Sequence, residues 1–170
     1  LFKLKNRPQW FTVANRSKTY VNKILSKISG EYFKNYEINK IIRSKNGVQI
    51  YYGSDSEFFN YDKVVLALHA DESLKIILDS TNEEKEILSN FKYKPNKAII
   101  HSDESAMPKN KKAWCSWNSS LNPKNTEQSS VTYWLNQLQN LKIDQNIFFT
   151  INPFFKIDQD KIVNDIDFTH

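Results

Sequence analysis

The segment Asn60–Leu78, NYDKVVLALHADESLKIIL, constrains the fold more than any other stretch of the chain. Val64–Leu68 is an unbroken apolar run, the pattern of a strand covered on both faces. His69-Ala70-Asp71 turns the chain, and Glu72–Leu78 continues as a helix with Leu74, Ile77 and Leu78 on one side. A strand feeding a helix is half of an α/β nucleotide-binding unit. The other half is a glycine-rich phosphate loop. The chain has only three glycines, Gly30, Gly47 and Gly53, and neither G-x-G-x-x-G nor a P-loop can be built from them. It therefore reads as the interior of a larger enzyme.

The 170 residues suffice for one domain with a core or for parts of two. A hydrophobic content of 39%, with 14% aromatic, belongs to a globular chain. No apolar run approaches the roughly 20 residues of a membrane span, and Leu1–Asn6 lacks the features of a signal peptide. Cys115 is the single cysteine, which excludes an internal disulfide and fits a reducing, cytoplasmic setting. We read it as an inert thiol. Three scattered histidines without ligand spacing argue against a metal site. The net charge of +5 comes mostly from dispersed lysines. They form no stripe and accompany no recognition motif, so nucleic acid is not an expected partner. The densest patch, Lys109-Asn110-Lys111-Lys112, reads as a solvated loop; peripheral contact with lipid headgroups is the minority reading.

Arg7–Val13 reads as extended. Ser17 is a candidate N-cap for a helix through Ser29, stopped by Gly30, with Tyr20, Val21, Ile24, Leu25 and Ile28 as a core-packing stripe. A β-meander follows. Tyr32–Arg43 is its first strand, Asn46-Gly47 its turn, Val48–Tyr52 the return and Glu57–Tyr61 a short third strand. Thr81-x-x-Glu84 is a capping box for a helix to Asn90. Strands dominate afterwards: Tyr93–Asp103, Ala113–Asn118, Ser130–Leu135 and Asn146–Asn152, with a helical turn in Gln137–Leu141 and a mobile polar loop at Ser119–Ser129. The expected fold is thus α+β or α/β: a meander with a sheet strand and helices, then a mixed, largely antiparallel sheet.

Four stretches carry a resemblance: Arg7–Val13 with Ser17-x-x-Tyr20; Asp62–Leu74; Met107-Pro108 with Ala113-Trp114-x-Ser116-Trp117-Asn118; and Val131-Thr132-Tyr133-Trp134-Leu135-Asn136-x-Leu138-Gln139. Together they resemble the NAD/FAD-binding proteins of the flavin-containing amine oxidase superfamily, in the subgroup associated with cyclopropane fatty acid synthase. The resemblance implies the middle of a two-domain FAD-linked flavoprotein. Residues 1–16 and 81–170 would belong to the substrate domain and residues 17–80 to the FAD-binding domain. The rest of the same polypeptide would complete the site. By position, it assigns Glu37, Ile38 and Asn39 to the adenine end of FAD, and Ala67, Leu68 and His69 to its pyrophosphate or flavin end. Gln9 and Trp10 would border the substrate pocket. Lys97 would be the catalytic lysine that orients water at the flavin, although a strand-edge surface lysine explains it equally well. Relatives carry Gly-Gly before the first helix where this chain has Asn15-Arg16, which puts that turn in question.

Trp10, Trp114, Trp117, Tyr133 and Trp134 admit two readings: packed core aromatics, or the wall of an apolar tunnel for a small hydrophobic substrate such as a lipid or amine. The expected activity is hydride transfer from that substrate to flavin, where few titratable groups are needed. The alternative is a non-catalytic lipid- or partner-binding module serving fatty-acid modification. Without strands beside Val64–Leu68, the chain is expected to expose apolar surface.

Overall fold

The tight turn at Lys45-Asn46 joins β1 (Ile38–Ser44) to β2 (Gly47–Tyr52), and β3 (Phe58–Tyr61) completes an antiparallel meander in the order β1-β2-β3. Gly47 has φ 122°, and a Cβ there would collide with the Tyr61 carbonyl oxygen, so no other residue closes this hairpin without strain. These are features of a computed structural model that describes residues 9, 11–53 and 56–170. It is a mixed α/β chain with two antiparallel sheets in two separate units. One unit is Ser29–Tyr93; the other joins the described residues up to Ile28 with Lys94–His170.

In the Ser29–Tyr93 unit the first strand begins later than expected. Asn35 turns left-handed at φ 60°, which breaks extended structure over residues 32–37. Phe33 and Tyr36 fold onto the meander instead. Phe33 stacks on Phe59 at 5.4 Å, Tyr36 meets Tyr52 at 5.0 Å, and Tyr52 stacks on Phe59 at 4.7 Å. Helix α2 spans Ala70–Ile76, and α3 spans Asn82–Ser89. The capping box forms in full. The Thr81 hydroxyl accepts from the Glu84 N–H at 3.1 Å, and the Glu84 carboxylate accepts from the Thr81 N–H at 2.8 Å. Arg43 ties β1 to this cap through Asp79 at 2.9 Å and Glu84 at 2.6 Å.

The apolar run Val64–Leu68 is not a strand covered on both faces. It is extended but enters no ladder; Val64 and Leu66 are half-buried while Val65 is 92% exposed. The meander is satisfied by its own turns. β1 accepts beside it only a parallel bridge from Ile77, so no strand flanks Val64–Leu68 among the described residues. The run packs one-sidedly instead, lining a hollow of about 120 Å³ with Ile41, Val48 and Ile77. The expected exposure of apolar surface is found here.

Helix α1 (Ser17–Leu25) is shorter than the expected Ser17–Ser29, and Ser17 is its first residue, not its cap. Arg16 is the cap, at φ 69° and ψ −175°, and makes no side-chain capping bond. At the other end, the Ser26 hydroxyl bonds back to the Lys23 carbonyl, and the Lys27 N–H tightens onto Ile24, ending the helix before Gly30. The stripe is not core: Tyr20, Val21, Ile24 and Ile28 are exposed and Leu25 half-buried. Of the extended segment Arg7–Val13, Arg7, Pro8 and Trp10 lie outside the described residues; Phe11, within them, is exposed.

The second sheet has five antiparallel strands in the order β5-β6-β7-β4-β8. They are β4 (Pro95–His101), β5 (Trp117–Asn122), β6 (Asn125–Trp134), β7 (Phe148–Ile151) and β8 (Ile162–Thr169), with the short α4 (Leu135–Leu138) after β6. The Ser119–Ser129 loop is in fact the β5–β6 hairpin. Its turn is nucleated by Asn122, whose Oδ1 accepts from the Lys124 N–H at 3.0 Å. The strand expected from Ala113 starts only at Trp117, because Lys111–Ala113 winds into a 3₁₀ turn capped by Asn110. β8 was not anticipated, although Ile166-Asp167-Phe168 alternates as a strand should.

Candidate functional site

Alternation sorts this sheet into two unlike faces. On one, Trp117 is opposite Tyr133, Tyr133 opposite Phe149, and Phe149 opposite Ile100, forming one row across four strands. Ring centroids are 5.9 Å apart for Trp117–Tyr133 and 6.0 Å for Tyr133–Phe149. α4 rises over the row. It is held by Asn136, whose Oδ1 accepts from the Ile147 N–H at 2.7 Å and whose Nδ2 donates to the Gln145 carbonyl at 2.8 Å. Between helix and sheet lies a cavity of about 380 Å³, walled by Ile100, Tyr133, Leu135, Leu138, Phe149 and Ile151, with Gln139 at its rim. Its lining is almost wholly apolar, and Trp117 extends the surface beyond it, 60% exposed. Such a site takes a ligand by shape and apolar burial, with few polar groups to orient it.

The other face is closed. Ala106, Met107 and Ile157 are buried over it, and Trp114 meets Phe148 edge-on at 5.7 Å. Directly behind the aromatic row runs a buried polar ladder. The Asp103 N–H donates to His101 Nδ1 at 3.1 Å, which puts the ring hydrogen on Nε2. Nε2 donates to Thr150 Oγ1 at 2.7 Å, and the Thr150 and Thr132 hydroxyls bond at 2.9 Å. Burial pushes the His101 pKa down against the pull of Asp103, so the ring is a neutral strut. Burial opposes ionisation of Asp103 itself, yet N–H donors from Asp158 and Ser105, with Lys161 at 3.7 Å, hold its pKa below the usual carboxylate range. The ladder cross-links β4, β7 and β6 and fixes which residues face the cavity.

Of the substrate residues read from the sequence, Trp117 and Tyr133 come together on the open face. Trp134 points to the closed side, where its indole donates to Asn146 Oδ1 at 2.9 Å and its ring meets Trp114 at 5.3 Å. Gln9 is exposed and does not line the cavity, and Trp10 lies outside the described residues. Lys97 is on the same side of β4 as Ile99 and His101, ion-paired to Asp165 at 2.6 Å, and does not line the cavity either. Ile100, Leu135, Leu138 and Phe149 were missed. Their apolar alternation was visible, but the register that gathers them was not.

The residues assigned to FAD lie in the Ser29–Tyr93 unit. The Asn39 amide donates to the Gly53 carbonyl at 2.7 Å and the Gly53 N–H to the Glu37 carbonyl at 3.2 Å, which pins the start of β1 around Ile38. His69 stacks on Tyr93 at 4.2 Å with its ring nearly parallel, and the Tyr93 hydroxyl accepts from the Ala70 N–H at 2.8 Å. Ala67 and Leu68 are exposed beside it. His69 Nδ1 and Asp71 Oδ1 are buried without a partner. Both atoms are closed off from solvent, so they offer no contact to a bound nucleoside as the chain stands. The turn before α2 does not fit a diphosphate either: Asp71 and Glu72, in the first turn of α2, would repel it. No group of three or more His, Cys, Asp or Glu side chains able to hold a metal occurs among the described residues.

No family model matches the chain, and no curated protein matches it. Among solved structures it is similar to the CLA-producing fatty acid isomerase from P. acnes, with a TM-score of 0.58 and 14% identity. The likeness is one of fold. It covers 89% of this chain and 39% of the isomerase, so the chain spans well under half of that enzyme's length. No helix among the described residues is long and apolar enough to cross a membrane.

Proposed function

We propose that this chain supplies the substrate-binding face of an FAD-dependent oxidoreductase acting on a long apolar substrate, a fatty acyl chain in the first instance. The observation that carries the reading is the cavity under α4, with its aromatic floor and absence of charged lining. The fold shared with a fatty acid isomerase supports the lipid as substrate class. Each methylene moved from water into such a cavity contributes about 0.8 kcal/mol, so Tyr133, Phe149, Leu135 and Leu138 can hold a chain without a charged anchor. Gln139 at the rim is the polar group placed to orient it. The ladder behind the sheet holds the register that presents this floor.

FAD, when bound, would supply acceptance of a hydride equivalent. Glu37, Ile38, Asn39, Ala67, Leu68 and His69 are the residues of this chain that the family resemblance offers to it. Its diphosphate needs donors from elsewhere in the polypeptide. Lys97, on the opposite face of β4 from the cavity and paired with Asp165, could orient water at the flavin only if the flavin reached that face.

The test is titration of the full-length protein with linoleate, followed by tryptophan emission. Saturable quenching is expected, with Tyr133→Arg and Leu138→Asp each weakening binding by about tenfold or more, as expected when a charge is placed in an apolar pocket. Equal binding by both variants refutes the site. A second reading, a lipid-holding module without chemistry, is favoured by the lack of any carboxylate, amine or imidazole among the lining residues. Linoleate binding that leaves the absorbance of purified, flavin-bearing protein unchanged selects it.

A further inference from the structure

The cavity under α4 has no charged lining, yet a fatty acid ends in a carboxylate. Buried among Ile100, Leu138 and Phe149, that carboxylate would lose its hydration with no partner in return. The head group therefore has to leave the cavity, and the turn after α4 shows where. Leu135 and Leu138 line the cavity; Gln139 lines it too, and it also lines a second hollow of about 670 Å³. Asn140, Leu141 and Lys142 belong to the second hollow. One turn of chain thus runs from the apolar cavity into its neighbour, with Gln139 as the wall common to both. Both hollows lie within the unit that joins the residues up to Ile28 with Lys94–His170.

The second hollow differs in charge. Its other wall is residues 12–17 with Tyr20. Arg16 and Lys142 are its charged lining residues, and no aspartate or glutamate lines it. The first acidic residue of the sequence is Glu31, so the segment leading into α1 holds nothing to neutralise Arg16. Among the described residues, neither the Arg16 guanidinium nor the Lys142 ammonium has a hydrogen bond or an ion pair. The backbone fixes where both stand. The Leu141 N–H donates to the Asn136 carbonyl at 3.0 Å and the Ile143 carbonyl accepts from the Asn136 amide at 3.4 Å, which holds Lys142 between them. The Arg16 N–H donates to the Val13 carbonyl at 3.0 Å, and the Arg16 carbonyl accepts from the Thr19 N–H at 3.2 Å.

We infer that this hollow holds the carboxylate of the substrate whose acyl chain lies under α4, with Arg16 and Lys142 as its anchors and Gln139 between head and chain. The substrate is then a free fatty acid, and not an ester, an amide or an alcohol. The inference rests on the reading of the cavity as an acyl-chain site and adds to it the head group and the end of the cavity at which that head lies. Two exposed cations contribute modestly to affinity, so their effect is a preference for the charged head.

The test is parallel titration of the full-length protein with linoleate and with methyl linoleate, below the concentration at which either aggregates and at a pH where the acid is ionised, followed by tryptophan emission. The two ligands share an acyl chain, so the ratio of their affinities isolates the head group. Arg16→Gly and Lys142→Gln should each weaken linoleate binding by about threefold to fivefold, and together by about tenfold or more, with methyl linoleate held within about twofold. Lys142→Glu should weaken linoleate further and leave the ester alone. Added salt should weaken linoleate binding by the wild type and not by the double variant. Arg16→Gly also releases a backbone conformation otherwise kept to glycine, so affinity lost in a protein that melts at least as high is not unfolding. Equal linoleate binding by wild type and double variant overturns the anchor and leaves the acyl-chain cavity standing. Equal losses for acid and ester would make the two residues a matter of shape and not of charge, and overturn it as well. Linoleate binding unchanged by Tyr133→Arg and Leu138→Asp removes the cavity reading, and this inference falls with it.

Discussion

Replacing Thr150 by valine tests the buried ladder directly. Valine matches threonine in shape, and Thr150 is fully buried, so a view based on hydrophobicity alone expects the change to be neutral or stabilising. The ladder demands the opposite. The Thr150 hydroxyl is the acceptor for His101 Nε2 at 2.7 Å and the partner of Thr132 Oγ1 at 2.9 Å. Valine strands both groups where no water reaches them. An orphaned buried polar group costs about 1–3 kcal/mol, and partial relaxation of the pair leaves about 2–3 kcal/mol in total. In a chain of this size that lowers Tm by about 5–10 °C. Thr150→Ser keeps the hydroxyl and loses one methyl, at about 1 kcal/mol. The expected order of stability is therefore wild type, then serine, then valine. Urea unfolding followed by tryptophan emission is the assay, since Trp114, Trp117 and Trp134 all report on this sheet. A valine variant at least as stable as the serine variant refutes the ladder as a structural element.

Four further outcomes follow from named residues. The His101 pKa is lower in the folded chain than its ordinary value, so the unfolded chain binds the extra proton; stability should be full above about pH 6.5 and fall as pH drops below it, and His101→Gln should flatten that dependence in a pH series of urea midpoints. Gly47→Ala should destabilise the meander by about 2 kcal/mol, read by thermal unfolding, because its φ of 122° is strained for alanine and its Cβ meets the Tyr61 carbonyl. Arg16→Gly should stabilise by about 1 kcal/mol in the same assay, since φ 69° with ψ −175° is a conformation otherwise kept to glycine. Arg43→Met should raise amide exchange through Asn82–Ser89, because Arg43 holds both Asp79 and the capping Glu84.

What the sequence discloses depends on how local the cause is. The Thr81–Glu84 capping box and the Asn46-Gly47 hairpin were legible because each closes within four residues. Asn15-Arg16 put its turn in question, because Arg seldom takes a left-handed conformation; both residues nonetheless take positive φ, at 61° and 69°, which the residue types alone did not disclose. Val64–Leu68 misled because an apolar run reports what a segment could bury and not whether a neighbour is present. The stripe of α1 misled for the same reason. The Ser119–Ser129 hairpin was hidden by polar residues of weak strand propensity, paired at Ser119–Leu121 and at the Asn122–Asn125 turn with a bulge between. Of the cavity, Tyr133 and Trp117 were readable as aromatic wall candidates. Which face each took was not, because Trp134 differs from Tyr133 by a single position.

That single position is why the ladder and the cavity belong to one device. Thr132 and Trp134 flank Tyr133, and Phe148 and Thr150 flank Phe149, so a slip of one residue in β6 or β7 would turn the aromatic floor inward and the threonines outward. Apolar residues on both sides of these strands would tolerate such a slip. Hydroxyls and an imidazole on one side do not, since each is buried and each has its partner only in the observed register. The polar groups on the closed face thus keep the open face apolar. On this account, Thr150→Val should weaken linoleate binding as well as stability, although Thr150 lines no part of the cavity. The stability effect without the binding effect would leave the ladder as scaffold alone.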